Sequence, residues 1–168
     1  MKEVTVMSGQ KRIALVTGAS SGLGREFARL LAKKSGVDEV WLVARRRERL
    51  EALSRELALP ARILALDLTQ GESLTQIAAL LQESGVTVTY LVNAAGFGRI
   101  GMAEDIGPGV TGCMVDLNCR AAAELTELVL PYMTKGSHVI EIASCAAFQP
   151  IPYLAAYAAS KAFLLSYS

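Results

Sequence analysis

The sequence predicts an α/β fold built on a doubly wound parallel sheet, and two observations predict it. Five short runs are apolar almost without interruption, as strands buried on both faces of a parallel sheet must be. Between them lie longer stretches of helical spacing, the alternation that returns each strand parallel to the last through a right-handed crossover.

The first run, Ile13–Thr17, leads through a glycine-rich turn into a helix over Gly24–Lys34. Gly36 marks the return to a second strand, Val40–Ala44, and a second helix follows over Arg46–Leu57. Pro60 precedes the third strand, Ile63–Leu66; the third helix spans Gly71–Ser84, and Gly85 returns the chain to a fourth strand, Val88–Val92. Three glycines and a proline make Ile106–Gly112 the softest stretch, read as a surface loop. A long helix lies around Val115–Met133, Gly136 precedes the fifth strand, His138–Ala143, and a last helix starts near Tyr153 and runs to Ser168. There is no repeat or linker, so residues 1–168 read as one domain.

With 52% hydrophobic and 20% charged residues, the chain carries enough apolar surface for a sizeable core, which excludes disorder. Seventeen basic residues against sixteen acidic ones, net +1, give no polyanion-binding surface, so nucleic acid is not an expected partner. Neither Met1–Lys11 nor any later stretch holds an apolar run of leader or bilayer-spanning length, so no membrane partner is expected. Cys113, Cys119 and Cys145 are odd in number and lack metal-ligand spacing; they read as thiols in a reducing cytoplasm, with no metal expected. His138 is the single histidine, so a Ser-His-Asp hydrolase would depend on it entirely.

Directly after the first strand comes Thr17-Gly-Ala-Ser-Ser-Gly-Leu-Gly24. Gly18, Gly22 and Gly24 permit a tight turn and close approach of backbone to a pyrophosphate, and the helix that follows turns free N–H groups and the positive end of its dipole toward the phosphates. The strand–turn–helix context is what gives this motif its mechanism, and it marks a Rossmann fold. The end of the second strand bears on the cofactor. NAD would want an acidic residue there for its ribose hydroxyls, whereas arginine accommodates a 2′-phosphate. Ala44 is followed by Arg45, Arg46 and Arg47, with Arg45 nearest the strand end, so NADP(H) is expected with Arg45 as its phosphate ligand.

Tyr157-Ala-Ala-Ser-Lys161 puts a phenol and an ammonium on one helix face. A free tyrosine titrates near pH 10, roughly three units too high for efficient acid–base work, and a nearby ammonium favours the phenolate. Ser144 stands at the end of the fifth strand, at the carboxyl edge where doubly wound sheets hold their ligands, thirteen residues before Tyr157.

Together these motifs resemble the short-chain dehydrogenase/reductase family. Thr17–Gly24 is similar to its TGxxxGxG loop, Asn93-Ala-Ala-Gly96 to its NNAG motif, and Ser144, Tyr157 and Lys161 to its Ser…YxxxK set, the resemblance running over residues 11–168. It implies an oxidoreductase moving a hydride between NADP(H) and a small carbonyl or alcohol substrate. Tyr157 is then the general acid or base, Lys161 supports it and binds the nicotinamide ribose, Ser144 polarises the substrate oxygen, and Asn118 holds a water linking Lys161 to solvent. Cofactor contacts are implied for Gly18, Ser20, Ser21, Gly22, Leu23 and Gly24, for Asp67 and Leu68 after the third strand, and for Asn93, Ala94 and Gly96, besides Arg45, Tyr157 and Lys161.

Ala94 departs from the second asparagine of NNAG, which removes one supporting hydrogen bond. The family pattern also continues into further strands, a Pro-Gly loop and a helical lid, so the expected domain is incomplete on its C-terminal side. From this follows the expectation of weak activity in the 168-residue chain alone, with a catalytically silent nucleotide-binding module as the alternative; the resemblance also implies a homo-oligomer formed through the long helix and the YxxxK helix. The largely apolar segment Cys145–Leu154 favours an apolar carbonyl substrate.

Overall fold

A computed structural model describes residues 10–149 and 151–168; residues 1–9 of the amino-terminal segment, expected to hold no leader, lie outside the described residues, as does Pro150 of the apolar segment. Five parallel strands form one sheet: β1 (Arg12–Thr17), β2 (Glu39–Ala44), β3 (Ala61–Ala65), β4 (Thr87–Asn93) and β5 (His138–Glu141), in the order β3-β2-β1-β4-β5. The order reverses between β1 and β4, so a crevice opens beyond their carboxyl ends.

Alternation along the strands splits the core into two layers. Ile13, Leu15, Trp41 and Leu91 pack on one side with α3 (Gly71–Ser84) and α5 (Ala121–Val129). Ala14, Val16, Val40 and Leu42 pack on the other with α1 (Gly22–Leu31) and α2 (Arg47–Glu56). The predicted doubly wound sheet is therefore the observed one. Among the described residues no helix is long and apolar enough to cross a membrane.

Two expectations are corrected. Ile106–Gly112 is not a loop but part of α4 (Ala103–Val115), interrupted at Gly107, whose φ of 74° breaks the helical path. Pro108 follows the break and lacks only an N–H that a first helical turn leaves unbonded anyway, so the glycine and proline restart a helix rather than end one. Tyr153 does not open the last helix: it holds φ 66°, a left-handed conformation strained for a bulky residue, and α6 runs from Ala155 to Tyr167.

Candidate active site

Beyond the carboxyl ends of the strands lies a cleft of about 1320 Å³, lined by the glycine turn, the ends of β2 and β4, and the YxxxK helix. Its first wall is backbone. Gly18 (φ 64°) leaves no room for a side chain: a Cβ there would sit 2.6 Å from the Ala94 carbonyl oxygen, and one on Gly24 would sit 2.6 Å from the Gly18 oxygen. Thr17 locks this approach. Its hydroxyl donates to Val92 O (3.3 Å) and accepts from the N–H groups of Ala94 (3.1 Å) and Ala95 (3.0 Å), tying β1 to the turn after β4. Ser21, extended at the N-cap of α1, makes no side-chain cap, so the first-turn amides keep their hydrogen-bonding capacity. A backbone cradle with bare amides fits a dinucleotide pyrophosphate.

Arg45 and Arg46 both line the cleft at the end of β2. Arg46 is the one that reaches over the glycine turn, donating to Ser20 Oγ (3.1 Å) and Ser21 Oγ (3.5 Å). A charge run in sequence does not say which arginine turns inward; only the chain direction after β2 does. Asp67, two residues beyond the end of β3, lines the cleft with Leu68, and its carboxylate accepts from Thr69 N (3.0 Å) and Thr69 Oγ1 (2.8 Å).

Ser144, Tyr157 and Lys161 open onto the same cleft. Ser144 Oγ accepts from Ala146 N (3.2 Å) at the start of a short 3-10 turn, Cys145–Ala147. Lys161 is buried (5% exposed); its ammonium donates to Ile142 O (2.6 Å) and lies 5.9 Å from the Tyr157 ring centroid. Burial pushes its pKa below the ordinary lysine value, opposed chiefly by Glu141 and then by Cys119. Two glycines make room for this group: a Cβ on Gly98 would fall 2.8 Å from the Tyr157 ring, and one on Gly96 would fall 2.9 Å from Asn118 Oδ1.

Two of the expected residues stand differently. Asn118 is fully buried behind the cleft wall, in a π-helical turn (Asp116–Arg120) between α4 and α5. Its amide clamps the Phe97 backbone, accepting from Phe97 N (3.1 Å) and donating to Phe97 O (2.9 Å), and it also donates to Ser160 Oγ (2.9 Å), which in turn donates to Tyr157 O (2.7 Å). A π turn widens the helix by one residue and so aims a side chain that a regular helix would direct elsewhere. Asn93 is turned away from the cleft altogether. Its Nδ2 donates to Thr126 Oγ1 (2.8 Å) and Glu141 Oε1 (2.7 Å) under α5, so its side chain is corrected from a cofactor contact to a tie between β4, β5 and α5. The last residue of a strand points to one face or the other by parity, and here parity sends Asn93 into the core.

His138 is excluded as a catalytic base for Ser144. It opens β5 at the far end of the strand, stacked on Tyr90 at 5.2 Å, about 20 Å of extended chain from Ser144. Gly98, Glu141 and Ser160 carry no signal of their own in the sequence, because each acts through a contact distant along the chain.

Comparison with known proteins gives the family and the fold. Residues 12–168 match the short chain dehydrogenase family. An oxidoreductase of Staphylococcus epidermidis is 29% identical, the match covering 91% of this chain and 66% of the relative. A very-long-chain 3-oxoacyl-CoA reductase of Podospora anserina is 36% identical, covering 92% of this chain and 48% of the relative. The chain thus spans half to two thirds of the length of these relatives. A metagenomic short-chain oxidoreductase solved with NADP superposes with a TM-score of 0.84 at 33% identity, covering 94% of this chain and 73% of the other. A short-chain dehydrogenase from Sphingobium yanoikuyae solved with NADPH gives 0.81 at 29% identity, covering 94% and 63%.

Proposed function

Because the chain belongs to the short-chain dehydrogenase family, we propose that it is an NADP(H)-dependent oxidoreductase interconverting a carbonyl and an alcohol, with Tyr157 as the proton-transferring group. The observation that carries the reading is the convergence of Ser144, Tyr157 and Lys161 on the cleft whose other wall is the glycine cradle. Gly18, Gly22 and the first turn of α1 would hold the pyrophosphate, and the arginines after β2 would meet a 2′-phosphate. The relatives solved with NADP and NADPH support that choice, as does the absence of an acidic residue directly after Ala44.

When bound, the dinucleotide supplies the hydride. Ser144 orients the substrate oxygen by hydrogen bonding. Tyr157 gives its phenolic proton to that oxygen in reduction and takes it back in oxidation. Lys161 places its ammonium 5.9 Å from the centre of the phenol ring. Asn118 fixes the Phe97 backbone and, through Ser160, the first turn of α6, so the phenol is held where the proton must pass. The proposed oligomer through α5 and α6 is a separate expectation of the same reading.

Titrating the protein with NADPH and with NADH, followed by a hydride-transfer assay on apolar ketones, tests the proposal. NADPH bound at least about tenfold more tightly, with ketone-dependent oxidation, is the expected result. Equal binding of both would remove the 2′-phosphate assignment, and tight binding without turnover would leave a nucleotide-binding module.

A further inference from the structure

Beneath the candidate site lies a half-buried carboxylate to which the proposed reaction assigns no part. Glu141 ends β5, directly before Ile142, whose carbonyl receives the Lys161 ammonium. It stands opposite Asn93 in the β4–β5 register. One of its oxygens, Oε1, is fixed by Asn93 Nδ2 (2.7 Å) and by Thr126 Oγ1 (3.0 Å). The other, Oε2, is buried and has no hydrogen-bond donor among the described residues, and the same holds for Asn93 Oδ1. Lys161, for its part, is a buried ammonium with a single carbonyl partner and no ion pair among the described residues.

Each half of this arrangement is costly alone. A buried ammonium loses several kcal/mol of hydration (roughly), which one carbonyl dipole offsets only in part. A carboxylate with one oxygen undonated keeps charge that neutral donors have not taken up. The two charges lie on adjoining elements, one on the strand residue next to Ile142 and the other hydrogen-bonded to Ile142 itself.

We propose that Glu141 is a positioning residue for the Tyr157–Lys161 pair, its pinned carboxylate serving as the counter-charge that keeps the Lys161 ammonium protonated at the end of β5. The catalytic consequence rests on the reading that Tyr157 and Lys161 act as an acid–base pair; the electrostatic link does not. The charges of Glu141 on β5 and Cys119 in the π turn both favour the protonated form of Lys161, and the Tyr157 ring of its own helix lies 5.9 Å from its ammonium. Tyr167 on α6 is pushed upward by burial first, then by the charges of Glu127 on α5 and of Glu141. Asn93 and Thr126 hold the carboxylate in place without cancelling its charge.

Glu141→Gln separates charge from shape, because an amide keeps the acceptor for Asn93 and Thr126 and offers donors to a cluster that lacks them. In protein carrying 13C-labelled lysine, the Lys161 13Cε resonance is identified by its loss in Lys161→Arg and followed with pH. Glu141→Gln is expected to lower the Lys161 midpoint by about one unit, a tenfold fall in proton affinity, while Glu141→Asp restores most of it. An unchanged midpoint in a folded Glu141→Gln protein would overturn the proposal and leave Glu141 a hydrogen-bonding residue only. Should the Gln variant not fold, the wild-type protein decides: the Glu141 13Cδ shift must move through the Lys161 midpoint, and a flat response there overturns the link. Neither measurement needs turnover, so a failed assay would break the reaction assignment without touching this result. In a turnover-competent protein, Glu141→Gln should move the pH profile of kcat/KM while leaving NADPH affinity within twofold.

Discussion

At the carboxyl ends of β1 and β4 the cleft is walled by backbone, whereas at the carboxyl end of β5 it is walled by side chains. The glycine pole rests on strands whose residues are almost wholly buried, and its geometry follows from where a Cβ cannot fit. The tyrosine pole sits beside a four-residue strand that is largely exposed, and its geometry follows from polar side chains that bond one another: Asn118, Ser160, Lys161 and, beneath them, Glu141. A pole made of backbone is sensitive to added volume and indifferent to charge. A pole made of side chains is sensitive to the loss of a single proton donor or a single buried charge.

Five substitutions and one pH series would break or sharpen that contrast, beginning with the largest effect. Tyr157→Phe should lower kcat by about two to four orders of magnitude while NADPH binding survives, since only the transferable proton is lost. Steady-state turnover near the wild-type rate would make Tyr157 a packing residue. Gly18→Ala should do the converse. A methyl at φ 64°, 2.6 Å from Ala94 O, forces β1 and the turn after β4 apart, costing about 3 kcal/mol or more in stability. Thermal melting beside NADPH titration would read both losses, and an unperturbed melt would mean that the cradle is slack.

Asn118→Ala leaves the Phe97 amide and carbonyl and Ser160 Oγ without their partner, each such buried group costing about 1–3 kcal/mol. Chemical denaturation should show the loss, with turnover falling further than cofactor affinity. At the glycine pole, Arg45→Ser and Arg46→Ser should each reduce NADPH preference over NADH, a charge-assisted contact being worth about 1.5–3 kcal/mol. Arg46 is expected to show the larger change, because its guanidinium already spans the turn to Ser20. Competitive binding of the two dinucleotides would rank them, and an unchanged ratio in both would point to NADP recognition elsewhere.

The smallest effect is on stability against pH. With its pKa below the ordinary lysine value, Lys161 holds fewer protons folded than unfolded between its native pKa and about 10.4, so stability rises with pH across that window. Below it the full burial penalty applies. Lys161→Met should flatten the rise on the alkaline side, up to about pH 10, in urea unfolding; a parallel slope would show that the ammonium is solvated in the folded protein.

Much of this was legible in the order of residues. Continuous apolar strands and intervening helices determined a doubly wound sheet, because only parallel strands covered on both faces need such runs. Gly71–Ser84 was predicted to the residue, its end set by Gly85 at φ 55°. The phosphate turn and the YxxxK spacing are local chemistry: the residues that do the work are neighbours along the chain. Tertiary structure decided what local pattern leaves open. Gly107 and Pro108 mark a break in any sequence, yet packing of α4 against α6 made that break a kink inside a helix rather than a loop. Asn93 lies in a motif that suggests the cofactor, but strand parity turned it under α5 to meet Glu141, 48 residues away. Glu141 itself has no signature, since a glutamate ending a strand is ordinarily solvated. Burial beneath α5, beside a lysine from α6, is what gives its charge a distance over which to act, because removing water from between two charges lowers the dielectric that would otherwise separate them.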